Sequence, residues 1–362
     1  MHLTGQFRNA GELQRQSSRR YASEMAEPLD PAEIFVDAHW LAQAHDAGSD
    51  LIRFVALEPA DYRAASFLDD RMFDQMRDVR VLPLPSVTHA AASYPRQDAR
   101  WIFHIGHVGS TLLARLLGEV ESVLSIREPR ILRDLAFLEV DRREAMAPVV
   151  RKLCSRSFAA HQHSLVKATS FVSEIAPLLV ALEGRAIFMF AGARSYIETI
   201  LAGENSVREL HVLHDYRSRR MSERLAPVES ATSSDAHRAA MAWACEMTAL
   251  ESAAEAMSDR PILWLDFDQF LTSPVDGLTQ AAKHLGIPLA AEEAKTIVEG
   301  PLMRRYSKAL EHDYSPQLRL ELQLEARQRH GAAIESALSM LDEASRTAPM
   351  LARALERDAG RL

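Results

Sequence analysis

The chain has 362 residues, of which 47% are hydrophobic and 25% are charged, and its formal net charge is −8. A chain of this length and composition can bury a substantial hydrophobic core. The acidic balance argues against general binding to nucleic acid, because affinity for a phosphate backbone needs a surplus of Lys and Arg, but it still allows a local basic pocket for one small anionic ligand.

The two cysteines, Cys154 and Cys245, belong to no Cys-x-x-Cys motif and to no Cys/His cluster. This usage predicts a reducing compartment, without a disulfide framework or a structural zinc site. No apolar run approaches the length of a membrane span, and the N-terminus lacks the apolar stretch of a secretory signal. We therefore expect a cytoplasmic protein without a membrane span.

The first hundred residues divide into two parts. Residues 1–27 are polar and rich in Arg, Ser and Gln, which predicts a disordered N-terminal extension. Residues 28–98 are expected to form a lead-in α/β segment that packs on the main domain. Within it, the spacing of apolar residues over 31–46 predicts a helix, and the apolar run LIRFVAL follows at 51–57.

From residue 101 the pattern changes to short apolar strands separated by helical stretches. The strand-like runs are WIFHIG, SVLSI, SLVKATS, RAIFMFAG and PILWLDF. Helices are predicted at about 235–257, 274–285, 290–299 and 316–345, whereas the charged and Ser-rich residues 205–232 predict an exposed loop or lid. Strands that alternate with helices need crossover connections, so the sequence predicts an α/β fold with a central, mainly parallel sheet and helices on both faces.

The stretch FHIGHVGSTLLARLLG, residues 103–118, carries the strongest functional signal. It combines an apolar strand, a turn with Gly106 and Gly109, the pair Ser110-Thr111 and an apolar helix. A helix N-terminus exposes unpaired N–H groups and the positive end of the helix dipole, so it readily binds phosphate. An ordinary turn between a strand and a helix is the alternative, but the elements occur in the order that a phosphate-binding loop requires.

The loop differs from the nucleoside-triphosphatase pattern G-x-x-x-x-G-K-[ST], because only two residues separate its glycines and no Lys follows the second one. It resembles instead the loop P-[KR]-S-G-[ST]-T-[LW]-L of sulfotransferases that use 3′-phosphoadenosine 5′-phosphosulfate (PAPS). Residues 109–113, GSTLL, match the second half of that motif. The resemblance implies a P-loop-type three-layer sandwich, with PAPS as co-substrate and no metal. The residues that it implies for binding the 5′-phosphosulfate are Gly106, His107, Val108, Gly109, Ser110, Thr111 and Leu112.

Two histidines at this loop receive different interpretations. His107 stands where the sulfotransferase family usually has Lys or Arg. In that family the basic residue assists the bridging oxygen as the sulfuryl group leaves, so the resemblance implies a catalytic role for His107, whose protonated imidazole can donate a hydrogen bond. His104 alternates with Ile105 in the strand and is expected to be a core histidine with a hydrogen-bond partner.

Glu128 and Lys167 are the other catalytic candidates. Glu128 follows the second strand, where many sulfotransferases carry a carboxylate near the acceptor hydroxyl, and is the candidate general base. An ion pair with Arg127 and Arg130 is the alternative for Glu128. Lys167 ends the strand SLVKATS, at the edge where open α/β sheets bind ligands, and can replace the lysine that the loop lacks. Its alternative is a partly buried stem whose ammonium reaches solvent.

Residues 185–202, RAIFMFAGARSYIETILA, resemble the second sulfotransferase signature, R-[DN]-P-R-D-x-x-x-S, which binds the 3′-phosphate of the cofactor. Arg194 matches the second Arg of the signature and Thr199 matches its Ser, whereas Ala191 replaces its first Arg. The resemblance therefore implies that Arg194 and Thr199 bind the 3′-phosphate. Because Ala191 has no guanidinium group, binding of this phosphate is weakened or is completed by another residue. Thr199 can equally be an ordinary helix residue.

A basic cluster comes after the last core helix. It consists of Arg304, Arg305 and Lys308 on the irregular stretch MRRYSKALEHDYS, where the family has a basic loop that closes over the cofactor. A solvated charged surface is the alternative. The resemblance to the family covers most of the chain, and it leads us to expect a sulfotransferase-like P-loop domain at 99–315 and a C-terminal helical segment at 316–362.

Three functions fit these observations. The first is a sulfotransferase-like enzyme that transfers a sulfuryl group from PAPS to a hydroxyl or amine of a small-molecule or lipid-like acceptor. The second is a P-loop kinase or NTPase that uses ATP and Mg²⁺, for which Asp266 at the end of ILWLD is the candidate magnesium ligand. The third is a non-catalytic nucleotide-binding protein with a degenerate loop. No nucleic-acid partner is expected, and the sequence gives no indication of the acceptor or of the oligomeric state.

Overall fold

The computed structural model describes residues 29–74, 78–222, 224, 234–305 and 315–360. The disorder predicted for residues 1–27 therefore lies outside the described residues. Within the described ranges, no helix is both long enough and apolar enough to cross a membrane.

The first part of the chain forms a three-stranded antiparallel sheet in the order β1-β2-β3. Its strands are β1 (Trp40–Asp46), β2 (Leu51–Ala56) and β3 (Val79–Pro83), with helices α1 (Pro59–Ala64) and α2 (Leu84–Ala92) and 3₁₀ turns at Glu33–Phe35 and Asp70–Asp74. The helix predicted over 31–46 is wrong, because β1 occupies the second part of that range and only a short 3₁₀ turn forms in the first part. Pairing with the apolar strand β2 along its whole length overrides the local helical spacing.

The main sheet has five strands in the order β5-β6-β4-β7-β8, and all of its neighbours pair in parallel. Its strands are β4 (Arg100–His104), β5 (Val123–Arg127), β6 (His163–Lys167), β7 (Ala186–Phe190) and β8 (Ile262–Asp266). Each strand coincides with one of the apolar runs read from the sequence. The predicted parallel sheet is thus confirmed, and the carboxyl ends of its strands meet at one edge.

Helices cover both faces of this sheet. Their bounds are α3 (Ser110–Leu117), α4 (Arg130–Ala136), α5 (Val140–Cys154), α6 (Ala176–Leu179), α7 (Ala193–Leu201), α8 (Glu204–Ser222), α9 (Asp235–Ala256), α10 (Phe267–Thr272), α11 (Pro274–Leu285) and α12 (Ala291–Glu299). Helix α3 packs on β4, β5 and β6, and α11 packs on β7 and α3, whereas α9 packs on β4 together with a 3₁₀ turn at Ser170–Ile175. The α/β fold class is therefore confirmed.

Two helices follow the core, α13 (Pro316–Ser345) and α14 (Pro349–Asp358). Helix α13 packs along α7 and α9, and α14 packs on α9 and α13. The predicted helical C-terminal region is present. The division of the chain into separate domains stays a prediction.

The exposed loop or lid predicted for 205–232 is wrong over most of its described part, where α8 forms instead. Leu210 and Met221 of this helix are buried. Its Arg217 and Arg220 lie 3.4 and 3.0 Å from the buried carboxylate of Glu246 on α9. The charges that suggest a solvated loop in the sequence are thus used in a buried ion-pair network. Residues 223 and 225–232 lie outside the described residues.

Candidate functional site

The loop between β4 and α3 has the backbone of a tight anion-binding turn. Gly106, His107 and Gly109 all have left-handed conformations, with φ values of 85°, 54° and 64°. A residue with a β-carbon rarely adopts such a value, so His107 holds a strained conformation within the loop. Gly109 is the N-cap of α3 and forms no side-chain cap. The first-turn N–H groups of the helix consequently open onto the loop.

His104 fixes the start of this loop. Its Nδ1 accepts a hydrogen bond from the Gly106 N–H at 2.9 Å, and its Nε2 lies 2.8 Å from the Ala168 carbonyl oxygen. Because a carbonyl only accepts, Nε2 carries the proton and the ring is neutral. The prediction that His104 is a buried histidine with a hydrogen-bond partner is confirmed. No local pattern in the sequence indicates that one of its partners is the loop itself.

The first turn of α3 contains a buried hydroxyl without a hydrogen-bond partner. Ser110 and Thr111 are 4% and 1% exposed, and Oγ1 of Thr111 has no partner among the described residues. An unpaired buried hydroxyl is unfavourable unless a ligand completes it. The neighbouring Gly109 packs directly under the ring of Phe267, where a β-carbon would overlap the ring. Val108 and Leu112 are buried and anchor the loop to the core.

The imidazole of His107 lies beneath helix α8. Its Nε2 is 3.7 Å from Oε2 of Glu209, and its side chain is 15% exposed. The ring of Tyr196 contacts the imidazole edge to face, with centroids 6.4 Å apart. Glu209 also lies 3.5 Å from Arg217, so a chain of charges joins the loop to the buried ion pairs between α8 and α9.

Glu128 and Lys167 meet at the carboxyl ends of β5 and β6. The Lys167 ammonium donates to Oε1 of Glu128, and the two side chains are 1% and 13% exposed. Glu128 has a left-handed φ of 52°, and its N–H donates to the Lys167 carbonyl oxygen at 2.7 Å. Arg71 lies 3.6 Å from the other carboxylate oxygen. Two of the three predicted catalytic residues are therefore in direct contact.

The arginines that flank Glu128 in the sequence have other partners. Arg127 donates to backbone carbonyl oxygens of the segment that ends α1. Arg130 lies 2.6 Å from Asp70 and 3.2 Å from Asp134. The sequence analysis offered an ion pair with Arg127 and Arg130 as the alternative for Glu128, but Glu128 pairs with Lys167 instead. The Lys167 ammonium is buried and does not reach solvent.

Arg194 is engaged by the C-terminal helix. Its guanidinium forms a bidentate pair with Glu335 of α13, with distances of 2.5 and 2.8 Å. Ala191, which replaces the first arginine of the signature, is buried, and its carbonyl oxygen accepts a hydrogen bond from Nε1 of Trp243 at 2.9 Å. The region predicted to receive a 3′-phosphate is therefore covered by α13.

A cation that the sequence motifs do not identify lies beside Thr199. Arg319 of α13 is 8% exposed, and its Nη2 lies 3.0 Å from the Ser195 hydroxyl and 3.4 Å from the Thr199 hydroxyl. Its Nη1 is 2.5 Å from Asp268, and its guanidinium lies over the ring of Phe267, 5.2 Å from the centroid. Since Phe267 also contacts Gly109, one ring separates Arg319 from the loop.

The predicted basic cluster is described only in part. Arg304 and Arg305 are exposed at the end of the 3₁₀ turn Pro301–Arg304, which packs against α3. Lys308 lies outside the described residues. The turn that leads into the two arginines therefore packs on α3, the helix whose N-terminus opens onto the loop.

Asp266, the candidate magnesium ligand, caps helix α10. Its Oδ1 accepts hydrogen bonds from the N–H groups of Asp268 and Gln269 at 2.7 and 3.3 Å. This is the ordinary role of an N-cap aspartate. Among the described residues, no group of three or more His, Cys, Asp or Glu side chains is placed to hold a metal ion.

Comparisons with models of protein families and with curated proteins find no match. Among solved structures, the chain is similar to the "Sulfotransferase Domain from the Curacin Biosynthetic Pathway", with 15% sequence identity and a TM-score of 0.36. The similarity covers 62% of this chain and 86% of that chain.

Proposed function

We propose that the protein is a sulfotransferase-like enzyme that moves a sulfuryl group from PAPS to a hydroxyl or amine of a small acceptor. The observation that carries the proposal is the loop at residues 105–111. Three left-handed residues bend it over the N-terminus of α3, and the buried Thr111 hydroxyl has no hydrogen-bond partner in the described part of the chain. Such a site fits a phosphate-type group, because N–H donors and a hydroxyl converge there with the helix dipole.

PAPS supplies the sulfuryl group and, as leaving group, a phosphate that retains the electron pair of the broken S–O bond. The N–H groups of the first turn of α3 stabilise the charge that develops on that phosphate, and His107 donates a hydrogen bond toward it. Glu128 accepts the proton that the acceptor hydroxyl or amine loses as its new bond to sulfur forms. Lys167 holds the Glu128 carboxylate in place.

The position of these groups supports the assignment of roles. Glu128, Lys167 and the loop all lie at the carboxyl edge of the parallel sheet, where open α/β sheets bind ligands. Ser170, three residues after Lys167, lies next to Gly106 of the loop. The cation near Thr199 is Arg319, and we assign to it the contact with the 3′-phosphate that Ala191 does not provide.

A thermal-shift titration of the full chain tests the proposal. Adenosine 3′,5′-bisphosphate is expected to raise the unfolding temperature, and AMP or ATP with Mg²⁺ to raise it less. Stabilisation by ATP with Mg²⁺ alone would favour a kinase instead. Transfer is then tested by following ³⁵S from labelled PAPS into a panel of phenols, alcohols and amines.

A second candidate is nucleotide binding without transfer. The observation that favours it is the closed ion pair between Glu128 and Lys167, which leaves the carboxylate engaged rather than open to an acceptor. Bisphosphate binding with no transfer to any member of the acceptor panel would support this alternative.

A further inference from the structure

A second basic region lies in a groove between α1, α3 and β5, the edge strand of the main sheet. The groove has a volume of about 430 Å³, its opening to solvent included. Three arginines line it, Arg63, Arg115 and Arg127, with one carboxylate, Glu119. Arg63 and Glu119 are exposed at its rim.

Two of these guanidinium groups are buried without a carboxylate partner. Arg115 is 5% exposed and Arg127 is 1% exposed. Neither forms an ion pair with any carboxylate of the described residues. Burial, and then the neighbouring Arg115 guanidinium, lowers the pKa of Arg127. Two adjacent buried cations are costly unless negative charge offsets them.

The end of α1 offsets part of this charge. Arg127 donates to the Ala65 carbonyl oxygen at 2.6 and 2.9 Å and also to that of Tyr62, and Arg115 donates to that of Ala64 at 2.7 Å. The C-terminus of a helix carries roughly half a negative charge. The Glu119 carboxylate at the rim also attracts both guanidinium groups. Together these negative charges are smaller than the charge of the three arginines that line the groove.

Not every hydrogen-bond donor that lines the groove has a partner among the described residues. Nε of Arg115 is buried and has no hydrogen-bond partner among the described residues. Gln162 lines the same groove, and its side-chain oxygen accepts a hydrogen bond from the Phe158 N–H. The side-chain amino group of Gln162 is then a further donor. A surplus of positive charge beside an unpaired buried donor favours a bound anion.

We propose that this groove binds a small tetrahedral oxyanion, either free phosphate or sulfate or the phosphate or sulfate ester group of a small molecule. Arg115 and Arg127 attract the anion from the floor of the groove through their positive charge. Arg63 attracts it from the rim. The guanidinium group suits this ligand, because its planar donors match oxyanion oxygens. The site is separate from the loop and does not depend on the activity proposed for it.

The test observes the arginine Nε–H signals of the ¹⁵N-labelled full chain by NMR. Phosphate, sulfate, glycerol 3-phosphate and chloride are titrated at constant ionic strength. A saturable shift of the Arg115 signal with the oxyanions but not with chloride is expected. An unmoved Arg115 signal, or an equal shift with chloride, overturns the proposal. Amide signals of residues 106–111 report oxyanion binding at the loop separately.

Two variants, and a comparison of glycerol 3-phosphate with free phosphate, complete the experiment. Arg63→Gln is expected to weaken oxyanion binding about fivefold, which corresponds to one screened charge at the rim. The matched control is Arg208→Gln, which removes an arginine that is 67% exposed on α8 and should leave the affinity unchanged. An equal loss in both variants contradicts a defined site. Tighter binding of glycerol 3-phosphate than of phosphate assigns the groove to esters, and the reverse assigns it to the free anion.

Discussion

Glu128 and Lys167 form an ion pair that joins the carboxyl ends of neighbouring strands. Under the proposed function the Glu128 carboxylate accepts the acceptor's proton, so Glu128→Gln should lower kcat by about 10² to 10⁴ while KM for PAPS stays within about twofold. The measurement is transfer kinetics with ³⁵S-labelled PAPS. Glu144→Gln, on the exposed face of α5, is the control. Unchanged kcat in Glu128→Gln would remove the role of base from this residue.

Removing only the cation of this pair should affect stability. In Lys167→Met the Glu128 carboxylate stays largely buried without its main partner, which costs about 3 kcal/mol of unfolding free energy. The double variant Lys167→Met, Glu128→Gln has no unpaired charge and should recover part of that loss. Urea unfolding of both variants measures the difference. Equal destabilisation in the two would show that the pair contributes through packing rather than charge.

Gly109 tests the geometry of the loop. Gly109→Ala places a β-carbon both at a φ of 64° and against the Phe267 ring. We expect destabilisation by at least about 2 kcal/mol and weaker nucleotide binding, because strain and overpacking add. Gly331→Ala in α13 is the matched control, since its added β-carbon meets no described atom within 4 Å beyond the adjacent residues and helix backbone. There a helical Ala should stabilise by about 0.5 to 1 kcal/mol.

The strands of the main sheet were predictable from the sequence, whereas β1, α8 and the contacts between distant elements were not. The five apolar runs identify the strands, and strand ends in a parallel sheet meet, so Glu128 and Lys167 were both found as candidates. Their pairing depends on the register of β5 and β6, which no local pattern encodes. Arg319 stands in a helix far along the chain from Thr199, and only the packing of α13 on α7 brings them together.

The error at α8 has a related physical cause. A run of charged residues reads as solvated, yet Arg217 and Arg220 are buried against Glu246 of α9. Buried charges are rare unless they are paired, and the pairing partner lies outside the window that a sequence pattern samples.

Both cysteines should be inert in the folded protein. Burial raises the pKa of Cys154 and of Cys245 to about 12, so at about pH 8 the reactive thiolate is scarce in the native state. We expect no reaction with Ellman's reagent in the native chain and reaction of both thiols after denaturation. Because the reagent needs the thiolate, the native rate should rise as the pH rises. A fast native reaction at about pH 8 would contradict the buried placement.

Arg319 separates recognition of the 3′-phosphate from recognition of the rest of the nucleotide. Arg319→Met removes the cation beside Ser195 and Thr199, so affinity for adenosine 3′,5′-bisphosphate should fall about 10- to 100-fold, as for a charge-assisted hydrogen bond. Affinity for AMP, which lacks that phosphate, should stay within about twofold. Isothermal titration calorimetry measures both. Arg329→Met is the matched control, because Arg329 is 74% exposed on the same helix. If the affinities for both nucleotides fall equally, the role of Arg319 is to hold α13 in place. If neither affinity falls, other residues bind the 3′-phosphate.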